Sequence, residues 1–173
     1  INPMEKPFIV DQKTFKDERG VFCATPIQMI RNKELDKFWV QVNTSISEEK
    51  YTLRGVHFQT EPFEQAKYLK VIKGKILNLL ICVDKMRPDF GNILEFEVTD
   101  DQAVMIPRGY GNCVFTLEPG TIIQYFVDND YSVKNEISMS YKTIPRFKEI
   151  IDQYTTNPVI SDKDLNGISW DQI

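Results

Sequence analysis

The sequence predicts an all-β protein folded as a barrel or a sandwich. Three observations carry this reading. Short apolar runs rich in Val, Ile, Leu and Phe recur through the middle of the chain. Turn residues separate them at close spacing, as in Lys73-Gly74-Lys75 and Glu118-Pro119-Gly120. Helical periodicity is scarce. Closing such strands on themselves removes exposed edges and creates a mouth lined by alternate residues, where small molecules bind.

The elements follow in order. Phe8–Val10, Val21–Thr25 and Trp39–Asn43 read as strands, with Asp17-Glu18-Arg19-Gly20 as the turn between the first two. Asn32–Phe38 reads as a short helical turn. Thr52–Gln59 reads as a strand, and strict alternation puts Leu53, Gly55, His57 and Gln59 on one face and Arg54, Val56 and Phe58 on the other. Gln65–Val83 reads as a hairpin turning at Lys73-Gly74-Lys75. Ile93–Val98 alternates, with Leu94, Phe96 and Val98 against Glu95 and Glu97. Ala103–Ile106 stops at Pro107. Cys113–Leu117 and Thr121–Val127 flank a Pro-Gly turn. After Pro145, the residues Phe147, Ile150, Ile151 and Tyr154 give an amphipathic helix. With no repeat and no linker, a single domain over residues 1–173 is expected, with Met4 as a candidate native start.

Composition narrows the function. Apolar residues make up 42% and charged residues 27%, ordinary for a globular protein. No apolar run approaches the roughly 18 residues of a membrane span, and the start has no signal-peptide pattern. A net charge of −4 without a dense basic run argues against nucleic-acid binding. The three cysteines follow no CxxC spacing, so reduced core thiols in a cytoplasmic protein are expected. The single histidine leaves no ordinary transition-metal site, and no cofactor is expected.

That histidine, His57, is the candidate general base, although a lone strand histidine is more often structural. Lys67 is either a solvated strand residue or a cation beside a developing oxyanion. Arg19 and Arg54 are either surface residues or a clamp for a diphosphate, which the planar guanidinium suits. Tyr125 and Tyr131 read alone as packing.

The order of these pieces resembles the dTDP-4-dehydrorhamnose 3,5-epimerase family. The matching segments are Asp17-Glu18-Arg19-Gly20, Gln41-x-Asn43, Leu53 to Gln59, Gln65-Ala66-Lys67, Pro88-x-Phe90-Gly91, Ile106 to Tyr110, Tyr125 with Tyr131, and Pro158 to Asp164. The resemblance implies a cupin-like jelly-roll barrel, usually a homodimer, acting without metal on a nucleotide-diphosphate 4-keto sugar. It implies His57 as base, Asp164 as its carboxylate partner, Tyr125 as the acid on the opposite sugar face and Lys67 near the ketone. It places Arg19, Gln41, Asn43, Arg54, Tyr131, Glu136 and Lys163 at the substrate. The family usually carries a histidine where this chain has Asn112, which can donate a hydrogen bond but carries no charge. It also tends to carry a glutamate contacting thymine where this chain has Ala24. A C3-only epimerase or ketoisomerase on another nucleotide sugar, such as a GDP-4-keto-heptose, is the nearest alternative. A non-catalytic sugar-nucleotide-binding barrel is the other.

Overall fold

The computed structural model describes residues 5–25 and 39–173; the helical turn expected at Asn32–Phe38 lies outside them. The architecture is two antiparallel sheets packed face to face, as the all-β reading requires. The first sheet runs β1 (Phe8–Asp11), β9 (Gln102–Ile106), β6 (Lys67–Lys73), β11 (Thr121–Val127), β4 (Gln41–Ser47). The second runs β12 (Glu136–Ser138), β5 (Leu53–Gln59), β10 (Tyr110–Thr116), β7 (Lys75–Cys82), β8 (Ile93–Thr99). A separate ribbon pairs β2 (Lys13–Asp17) with β3 (Gly20–Ala24).

The two larger cores explain most of the pattern of apolar residues. Leu69, Val71, Ile76, Leu80, Val104, Ile106, Val114 and Ile123 fill the space between the sheets. Leu53, Val56, Leu77, Leu79, Ile81 and Phe115 face the other way, beneath Phe147, Ile150 and Ile151 of helix α1 (Pro145–Asp152). β7 and β10 are therefore covered on both faces, which is why they read as continuous apolar runs rather than alternating ones. Pro145 sits in the first turn of α1, where its missing N–H costs nothing. Tyr154 follows the helix and packs on Tyr51 and Phe115.

Three expectations are corrected. First, β6 and β7 do not form a hairpin. β6 pairs with β9 and β11, and β7 with β8 and β10, so Lys73-Gly74-Lys75 hands the chain from one sheet to the other. Gly74 has φ +95°, and a Cβ there would lie 2.4 Å from Thr121 Oγ1, so the corner needs glycine. Second, the Asp17–Gly20 turn joins β3 to β2, an element that alternation did not reveal because its side chains are largely exposed. Third, β5 does not alternate strictly. Asn112 pairs with His57 but Val114 with Arg54, so two steps on β10 match three on β5. The slip falls at Gly55, where φ is +131° and a Cβ would meet Asn112 O at 2.5 Å. Leu53 and Val56 then point to the helix side, while Arg54 and His57 both line the space between the sheets.

The cysteines Cys23, Cys82 and Cys113 are unpaired. Among the described residues, no helix is long and apolar enough to cross a membrane.

Candidate active site

One end of the barrel opens into a cleft with two lobes of about 550 and 520 Å³. His57, Lys67 and Tyr125 line both lobes, so the lobes meet at these side chains. Gln41, Asn43, Tyr131 and Glu136 line the first lobe. Arg54, Asn112, Lys163 and Asp164 line the second. The structure thus gathers every residue singled out for the site except Arg19.

His57 comes from the second sheet and is held by the C-terminal segment. Asp164, in the short helix α2 (Asp162–Leu165), lies 2.6 Å from His57 Nε2 through Oδ1. Its other oxygen accepts from Gly55 N at 3.0 Å, and Ser138 Oγ donates to Oδ1 at 2.8 Å. Burial pushes the Asp164 carboxyl up, but the bonds from His57, Gly55 and Ser138 outweigh it and hold the pKa below the ordinary aspartate value. Asp164 is therefore a carboxylate that accepts a hydrogen bond from His57 Nε2–H, which leaves Nδ1 as the ring nitrogen available to act as a base. The register slip at Gly55 serves this pair twice, by turning His57 inward and by freeing a backbone N–H for the carboxylate.

Lys67 and Tyr125 come from the first sheet, across the cleft. Lys67 pairs with Val127, and Tyr125 with Leu69, so the two lie diagonally on adjacent strands and share the inner face. The Lys67 ammonium sits 5.6 Å from the Tyr125 ring centroid. Lys67 is 9% exposed, and burial pulls its pKa down to about 8, with Glu136 resisting. Burial also raises the Tyr125 pKa above the ordinary tyrosine value, while a bond with the Asn43 side chain opposes this. Tyr125 thus keeps its proton through the neutral range.

The rim is polar. Tyr131 donates to Glu136 Oε2 at 2.6 Å and Lys163 to Glu136 Oε1 at 2.8 Å. Gln41 donates to Asn43 Oδ1 at 2.7 Å. Arg54 leans on Ser47 Oγ at 3.2 Å. Arg19 stands apart on the β2–β3 ribbon, its side chain 85% exposed and paired with Asp17. Ala24 ends the same ribbon.

Sequence reasoning missed Ser138, Asn78 and Gly55. Ser138 lies in a strand of three residues, too short to show a period. Gly55 carried a legible signal, since glycine inside a strand pattern marks a bulge. Among the described residues, no group of three or more His, Cys, Asp or Glu could hold a metal ion.

Known proteins share this architecture. The family model for dTDP-4-dehydrorhamnose 3,5-epimerase matches residues 2–172. A dTDP-4-dehydrorhamnose 3,5-epimerase of Shigella flexneri is 31% identical over 165 residues, covering 92% of this chain and 88% of its own. The crystal structure of the Sulfolobus tokodaii enzyme of the same name is 32% identical, with TM-score 0.80 over 94% of this chain and 89% of that one. The Bacillus anthracis enzyme, solved with TDP and PPi bound, is 26% identical, with TM-score 0.83 over 98% and 97%.

Proposed function

Because this chain belongs to the dTDP-4-dehydrorhamnose 3,5-epimerase family, we propose that it inverts C3 and C5 of a nucleotide-diphosphate 4-keto-6-deoxy sugar. The observation that carries this reading is the placement of His57 and Tyr125 on opposite sheets, facing one cleft. Inversion needs a proton removed from one face of the sugar and returned to the other.

The chemistry follows from the parts. The C4 ketone acidifies the hydrogens at C3 and C5. His57 Nδ1 takes one of them, and the C–H electron pair forms the enolate double bond while the carbonyl pair moves onto oxygen. Asp164 stabilises the imidazolium that results. The Lys67 ammonium faces the developing oxyanion, and a donor of this kind is worth on the order of 10²–10³ in rate. Tyr125 then delivers its proton from the opposite face and becomes a phenolate beside Lys67. Proton return from His57 to Tyr125 through solvent closes the cycle.

Arg54 and Lys163 serve the diphosphate, and Gln41, Asn43, Tyr131 and Glu136 the rest of the substrate. Arg19 faces away from its own cleft, and its ribbon exposes Phe15, Val21 and Phe22. The active form in this reading is a homodimer in which the ribbon packs on a second copy. Exposed Val42 and Ile46 on edge strand β4 support this. The unpaired thiols fit a cytoplasmic location.

The test is solvent exchange. Incubation with dTDP-4-dehydro-6-deoxyglucose in D₂O should place deuterium at C3 and at C5, and His57→Asn should lose both by at least about 10²-fold while still binding dTDP. Label at C3 alone would make the protein a 3-epimerase. No label would leave only the binding barrel.

A further inference from the structure

The inner face of β7 carries Ile76, Leu80 and Cys82 in the core between the sheets, and one polar residue, Asn78. Asn78 is fully buried. Its Nδ2 donates to the backbone oxygen of Cys113 at 3.0 Å and to Asn112 Oδ1 at 2.8 Å. Its own Oδ1 has no hydrogen-bond partner among the described residues, a destabilising arrangement for a buried acceptor. Cys113 is the residue skipped in the β5–β10 register, beside the Gly55 bulge.

These contacts set a direction. A backbone carbonyl can only accept, so it is the nitrogen of Asn78 that faces Cys113. The same nitrogen faces Asn112, which must present its oxygen. The Nδ2 group of Asn112 is therefore turned away from Asn78. Asn112 pairs with His57 across β5 and β10 and lines the cleft beside Arg54, Lys67, Tyr125 and Asp164.

We infer that Asn78 is a positioning residue that locks Asn112 as a hydrogen-bond donor to a sugar oxygen beside His57. The inference rests on the epimerase reading and deepens it. An imidazole at position 112 would bring a second titrating base next to His57. An amide held by an amide donates the same bond at every pH at which His57 cycles. The chain of orientation runs from the Cys113 carbonyl through Asn78 to Asn112 and the substrate.

The experiment compares wild type, Asn78→Leu, Asn78→Ala, Asn112→Ala and the Asn78→Leu/Asn112→Ala double variant in the D₂O exchange assay, with dTDP affinity as the check on folding. Asn78→Leu or Asn78→Ala should lower kcat for wash-in about tenfold or more, as loss of an oriented donor does, with KM and dTDP affinity within about twofold. The double variant should be no slower than Asn112→Ala, because both changes remove one interaction. A second readout separates positioning from packing. Asn112→His in an Asn78→Asp background, where the carboxylate can orient the ring, should outpace Asn112→His alone and add an ionisation to the pH profile. Wild-type kcat in both Asn78 single variants, or losses that multiply in the double variant, would overturn the inference while leaving the epimerase reading intact. Absence of wash-in by the wild-type protein would overturn the epimerase reading, and this inference with it.

Discussion

The two walls of the cleft are built differently. On the second sheet, His57 is held by a carboxylate that itself receives bonds from Gly55 and Ser138, and the whole wall is backed by α1 and the C-terminal segment. On the first sheet, Lys67 has no ion pair among the described residues; a ring and a more distant carboxylate face it. The outer surface of that sheet leaves Val42, Ile46 and Ile72 exposed. One wall fixes a base in a single orientation. The other keeps a cation poorly solvated, and in the proposed mechanism charge appearing on the substrate is its best partner.

The largest effect is expected from removing the charge on the less satisfied wall. Lys67→Met should lower wash-in by about 10²–10³ and raise the thermal midpoint, because a buried ammonium costs stability. The sign of the pH dependence follows from a folded pKa of about 8, below the ordinary lysine value. Between that pH and about 10.4 the folded state has lost the proton and the unfolded chain still binds it, so stability contributed by this site rises with pH. Activity moves the other way, falling as pH passes about 8 and the ammonium is lost. Thermal melts and exchange rates from pH 7 to 10 check both. A Lys67→Met protein less stable than wild type at pH 7 would show that the ammonium is well satisfied after all.

A smaller effect is expected where the first sheet is open. Ile46→Lys adds a charge to an exposed strand residue and should leave the subunit folded. It should shift sedimentation of the proposed homodimer toward the monomer. An unchanged association state would place the dimer contact elsewhere.

The smallest effect concerns the nucleotide. Where the family resemblance implies a thymine-contacting glutamate this chain has Ala24, and a site without a matched acceptor for thymine N3–H discriminates weakly. Competition binding should show dTDP preferred over GDP, CDP or UDP by less than about a hundredfold, roughly 2.7 kcal/mol. A steeper preference would mean that another side chain recognises thymine.

The two walls were also unequally legible in the sequence. Thr121–Val127 could be read directly as a strand, because a β-rich run follows a turn tripeptide. Ala103–Ile106 was legible as a short apolar run stopped by Pro107. The His57 wall was harder. Strict alternation put His57 with Leu53, and the bulge at Gly55 reversed that assignment. Asp164 lies 107 residues from His57, a separation no local pattern bridges, so only the family resemblance pointed to the pair. Lys73-Gly74-Lys75 announced a turn but not which sheet the chain would enter next. Asn78 looked like an interruption in an apolar run, and its partner became visible only once β7 and β10 lay side by side.

The division of labour between the walls is tested most directly by Tyr125→Phe, followed in D₂O by exchange and by product stereochemistry in the same sample. If His57 alone forms the enolate and Tyr125 only returns the proton from the other face, the variant should still wash deuterium into the substrate with retained configuration and form little inverted product. Normal inversion in Tyr125→Phe would contradict this account by making the tyrosine mere packing, and loss of exchange together with inversion in a folded, dTDP-binding variant would contradict it by placing Tyr125 in enolate formation.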